Sequence, residues 1–135
     1  MKPILKPIAT TILAAALAAC GGSEDPAPNP WLGTVTVTGG TPATVDVTFS
    51  ATGVSPSGVS VPAGGSIRFV NADAVAHWPE SNPHPTHTQC PWLNMPAEIL
   101  AGGSFTVGPA TATPTTCGFH DHLNPPAPGG GGGGY

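Results

Sequence analysis

Basic side chains are scarce in this chain: 3 Lys and Arg stand against 7 Asp and Glu in 135 residues, and charged residues make up only 7% of the whole. That scarcity argues against nucleic-acid binding, which needs clustered Lys and Arg to neutralise phosphates. So sparsely charged a surface draws its solubility from Ser, Thr, Asn and backbone groups. Long hydrophobic runs are lacking as well. The apolar stretch near the N-terminus is too short and too rich in alanine for a comfortable spanning helix, and no later segment carries a helical stripe beyond a turn or two. Ser, His and Asp are present, but neither a nucleophile elbow nor a paired-carboxylate spacing accompanies them. The chain therefore offers no hydrolytic site, and a binding role is expected in place of an enzymatic one.

What is present begins with an export signal over residues 1–19. Met1-Lys2-Pro3-Ile4-Leu5-Lys6 forms a basic start, an apolar stretch follows, and Leu17-Ala18-Ala19-Cys20 closes it with small residues. The last four residues resemble the lipobox of bacterial lipoproteins. The resemblance implies cleavage before Cys20, lipidation of its thiol and a membrane anchor through that lipid. With Gly21 next and no aspartate, it further implies the bacterial cell envelope, on the periplasmic face of the outer membrane. Removing the signal takes Lys2 and Lys6 with it and leaves Arg68 alone against seven carboxylates. Residues 20–32 are rich in Gly and Pro and read as a disordered tether, and residues 128–135, a glycine run ending in Tyr135, as a disordered tail. One small domain, 33–127, remains.

Inside that domain Thr34-Val35-Thr36-Val37-Thr38, Thr44-Val45-Asp46-Val47-Thr48-Phe49 and Ser66-Ile67-Arg68-Phe69-Val70-Asn71 alternate with period two and are rich in β-branched residues. Ser104-Phe105-Thr106-Val107 and Thr115-Thr116-Cys117-Gly118-Phe119-His120 extend the set of predicted strands. Gly39-Gly40, Ser57-Gly58, Pro62-Ala63-Gly64-Gly65 and Ala101-Gly102-Gly103 supply turns at sandwich spacing. An all-β Greek-key sandwich is expected, with residues 72–100 as an excursion long enough to suggest function.

All 5 histidines fall between His77 and His122, in His77-Trp78-Pro79, His84-Pro85-Thr86-His87 and His120-Asp121-His122. Neutral imidazole donates to borderline transition metals near pH 7, so three converging groups predict a metal centre. On a strand His120 and His122 share one face while Asp121 points away. The candidate ligands are His77, His84, His87, His120 and His122, with Cu(II) as the expected ion and Zn(II) its main rival. Plainer roles stand beside ligation: His77 as a hydrogen-bonded core residue, and His84 with His87 as a loop cap. Cys90 and Cys117, the pair left once Cys20 is lipidated, predict a disulfide in an oxidising compartment, worth about 3 kcal/mol for a loop of this size. Metal ligation by Cys117 is the competing role. Trp78 and Trp92 flank the excursion as its hydrophobic anchors.

Val59-Ser60-Val61-Pro62-Ala63-Gly64-Gly65-Ser66-Ile67-Arg68-Phe69-Val70-Asn71, followed by Ala76-His77, resembles the cupredoxins, as does Phe119-His120-Asp121-His122-Leu123-Asn124-Pro125 near the end. The resemblance implies a copper-binding Greek-key sandwich, His77 as the first copper ligand, electron transfer as the default activity, and a redox or copper-handling protein as partner. Laid on the family's C-terminal Cys-x-x-His-Pro-x-Met loop, however, the cysteine position is Asp121, the histidine position Asn124 and the methionine position Ala127; only Pro125 matches. Without that thiolate a blue-copper centre is not expected, unless His77, Cys117 and His120 form one in a shifted register. The other alternative is a metal-free envelope interaction module. The family's last strand has no counterpart here, which predicts an open sheet edge.

Overall fold

The structure, a computed structural model, describes residues 29–111 and 115–124. The expected signal peptide, the expected lipidation site at Cys20, most of the expected tether and the glycine run at the C-terminus lie outside the described residues. Eight strands are present: β1 (Leu32–Thr38), β2 (Thr44–Ser50), β3 (Gly53–Ser55), β4 (Gly58–Pro62), β5 (Ser66–Asn71), β6 (Pro79–Ser81), β7 (Ser104–Val107) and β8 (Thr116–Asp121). The only helical element among the described residues is a single 3-10 turn at Pro91–Leu93.

Two four-stranded sheets pack as a sandwich, one ordered β4-β1-β8-β6 and the other β3-β2-β5-β7. The chain changes sheet at every connection except β2 to β3, so neighbours within a sheet are rarely consecutive. Both sheets are mixed: β1 runs parallel to β4 and β2 to β5, while β8 is antiparallel to β1 and β6.

Period-two alternation decides which side chains face inward. Val35, Val37, Val47, Phe49, Ile67 and Phe69 are all buried, and Thr34, Thr36 and Arg68 between them look outward. Phe119 of β8 meets Phe69 edge to face at 5.5 Å and Phe49 at 6.5 Å, forming an aromatic centre. Each such ring contributes about 1.5–3 kcal/mol through burial. Gly33 makes room for it: a Cβ at that position would overlap the ring of Phe119.

Two expectations are corrected. The tether expected through residue 32 ends sooner, because Leu32 already belongs to β1 and Trp31 packs against the core with its Nε1 donating to the Ser50 carbonyl at 3.3 Å. A large aromatic ring beside an apolar core gains more from packing than its segment gains from staying free. The open edge does not arise at β8 either. β1 lies on one side of it and β6, a short strand from the excursion with no sequence signature of its own, on the other. No strand follows β8 among the described residues.

Candidate metal centre

Alternation along β8 separates two chemistries. Cys117, Phe119 and Asp121 face the interior, whereas His120 projects from the opposite face, and His122 follows in the turn after the strand. Over that outer face folds the first part of the excursion. Its attachments to β8 are the amide of Asn82 donating to the Gly118 carbonyl (3.0 Å), the amide of Gly118 donating to Gln89 Oε1 (2.7 Å) and the Cys90–Cys117 disulfide. Gly118 permits the closeness: a Cβ there would overlap the Asn82 amide.

The disulfide joins residues three positions from His87 and three from His120. It thereby cross-links the two histidine-bearing segments and takes Cys117 out of consideration as a thiolate. The alternative blue-copper set of His77, Cys117 and His120 is corrected on that ground, since a half-cystine has no thiolate to give.

Four of the five histidines converge. One ring nitrogen from each of His84, His87, His120 and His122 lies within 4.8 Å of the others. His122 Nδ1 and His87 Nε2 face each other at 3.3 Å, and ring centroids across the group stand 5.0–6.2 Å apart. His120 is the deepest member. Its Nδ1 is 2.7 Å from Asn82 Oδ1, an acceptor, so Nδ1 carries the proton and Nε2 keeps a lone pair. That Nε2 is buried and has no hydrogen-bond partner among the described residues. A buried, unsatisfied acceptor costs about 1–3 kcal/mol, and a site that tolerates one needs a reason.

Burial disfavours the charged form of two of these rings. Burial, reinforced by the neighbouring rings of His87, His84 and His122, pushes the His120 imidazole down to about 4. Burial also lowers His87, helped by His122 and His84. Glu80, paired with His120 across β6 and β8, places Oε2 3.7 Å from His87 Nδ1, and burial raises its carboxyl above the usual range.

His87 also has a left-handed backbone, with φ of 49°. Such a conformation costs a non-glycine residue on the order of 1–3 kcal/mol and persists only where the surroundings enforce it. Here they do: its amide donates to the Pro83 carbonyl at 2.7 Å, and its carbonyl accepts from Ser81 Oγ and Asn94 Nδ2, each at 2.8 Å.

His77 is not brought into this group. It is fully buried, stacked on Phe49 at 4.9 Å, with Nδ1 2.7 Å from Asp121 and Nε2 3.2 Å from Asp73. Both ring nitrogens are directed at carboxylate oxygens of the fold, so neither is turned towards the other four histidines. Asp121 in turn accepts the amides of Trp78 and Leu123 and the side-chain amide of Asn124, and so braces the turn carrying His122. The expected ligand role of His77 is replaced by a structural one. Trp78 and Trp92 both pack against the core, as anchors would.

Asn82 and Glu80 are members of the site that sequence reasoning missed. A lone Asn before proline reads as a turn residue, and Glu80 becomes a neighbour of the histidines only through the unforeseen strand β6. No protein-family model matches this chain, and no curated protein matches it either.

Proposed function

We propose that this chain is a lipid-anchored, cupredoxin-like protein of the bacterial envelope that binds copper through His84, His87, His120 and His122 and serves in copper binding or handling, without catalysis. One observation carries the metal assignment: the buried lone pair of His120 Nε2, with no hydrogen-bond partner among the described residues, beside three further imidazoles. An ion would satisfy it.

The donor set argues for the identity of the ion. Four neutral imidazoles suit Cu(II) and Zn(II), and the general affinity order of divalent metals favours copper. Glu80 beside His87 resembles the carboxylate partners that steady metal-bound histidines. A bound Cu(II) without thiolate would be weakly coloured and suited to storage or transfer of the ion more than to fast electron transfer.

The anchor rests on the Leu17-Ala18-Ala19-Cys20 signal, and the oxidising compartment it implies agrees with the Cys90–Cys117 disulfide. The cupredoxin likeness rests on the Val59–Asn71 and Phe119–Pro125 segments and on the mixed two-sheet sandwich. Metal analysis of the mature protein, with titration by Cu(II) and Zn(II), tests the assignment. One equivalent of copper with an imidazole-type spectrum and no intense blue band is expected. Tight zinc with weak copper would change the ion, and no uptake beyond that of a His120→Ala variant would leave a metal-free interaction module.

A further inference from the structure

The four imidazoles are not held alike. His120 is fully buried and oriented by Asn82, and His122 follows β8 in the turn braced by Asp121, with its amide donating to the Trp78 carbonyl at 2.8 Å. His87 is gripped at both its amide and its carbonyl. His84 differs in each respect. It is exposed, it sits between Pro83 and Pro85 at the outer end of the excursion, and no hydrogen bond to its ring or backbone occurs among the described residues.

Resting on the copper reading above, we infer that His84 is the exchangeable ligand of the centre: the ion enters and leaves past it, and an incoming imidazole-class donor displaces it while His87, His120 and His122 retain the ion. The difference in supports carries this. Unseating His120 from an ion returns a buried nitrogen to an unsatisfied state, and moving His87 or His122 strains backbone held by several hydrogen bonds. Withdrawing His84 breaks no hydrogen bond among the described residues, only its bond to the ion and its ring contacts with the other three histidines, and releases its ring into water. Replacing one imidazole by another also leaves the donor set unchanged, which makes a histidine of a receiving protein the matching acceptor chemistry.

Transfer of Cu(II) from the loaded, mature full-length protein to excess EDTA separates the alternatives. His84→Ala should still bind one equivalent but release it about tenfold or more faster, and free imidazole should restore the slow release. His120→Ala and, as a second variant less disruptive of the interior, His122→Ala should hold no equivalent, with or without imidazole. Loss of stoichiometric binding in His84→Ala, an unchanged release rate, or failure of imidazole to slow release would each overturn the inference. Absence of copper uptake by the unmodified protein would instead remove the metal reading itself, a result distinguishable from all three.

Discussion

His77 and His120 are both fully buried, and their surroundings are opposite. His77 has a carboxylate at each nitrogen; His120 has one neutral amide and three other imidazoles. Burial alone therefore says nothing about function. A satisfied histidine closes the fold, whereas a histidine with a spare buried lone pair has a nitrogen that could take a further partner.

The largest test falls on the satisfied member. His77→Ala would leave the fully buried Asp121 and the partly buried Asp73 without their ring partner, and losing a buried hydrogen-bonded ring together with the cavity it leaves costs about 3–5 kcal/mol. A fall of that size in urea-unfolding stability is expected, and a change below about 1 kcal/mol would show that the pair does not hold the fold.

Next comes pH, through His120. Its folded value near 4 lies below the ordinary 6.5, so between those limits the unfolded chain binds the proton more readily than the folded one. Stability of the metal-free protein should then fall as pH drops from 6.5 towards 4, by up to the order of 3 kcal/mol, and should not depend on this group above 6.5. His87 acts in the same direction; Glu80, raised, contributes stability present at low pH and lost as pH rises through its folded value. Urea midpoints in His120→Ala should vary less with acid than those of the parent, and equal slopes would contradict the assignment.

Ligand-linked stability sharpens the contrast further. Copper at about 100 times its dissociation constant should add about 2.7 kcal/mol to the parent protein. The increment should persist in His77→Gln and vanish in His120→Ala. Thermal melts with and without Cu(II) show which, and loss of the increment in both would erase the distinction between the two environments.

Smallest is the effect of Asn82→Ala. Removing the amide that orients His120 should weaken copper binding by about 10–100-fold while leaving the Cys90–Cys117 pair intact, as competition titration and a thiol count would show. Unchanged affinity would mean that Asn82 fastens the excursion without orienting the ligand.

Much of this was legible in the residues. Period two and β-branched side chains located β1, β2, β5, β7 and β8, and the even cysteine pair foretold the disulfide. The short strands β3 and β6 escaped because three residues are too few to carry a period. The cupredoxin likeness put His77 first among the ligands and Asp121 at the lost cysteine; these two positions do meet, at 2.7 Å, but as a hydrogen-bonded pair. Their pairing joins segments 44 positions apart in the chain.

By itself the sequence determined the low charge, the sandwich pattern and the concentration of histidines in one half of the chain. Strand periodicity also put His120 and Asp121 on opposite faces, because that is a local property of extended backbone. Only the tertiary structure decided which histidines share a site. The excursion folds onto the outer face of β8, fixed by Gly118, Gln89 and the disulfide, and so carries His84 and His87 to His120 and His122, while the inner face delivers Asp121 to His77. Which nitrogen keeps a free lone pair depends on partners up to 44 positions away along the chain, and no local pattern encodes that pairing.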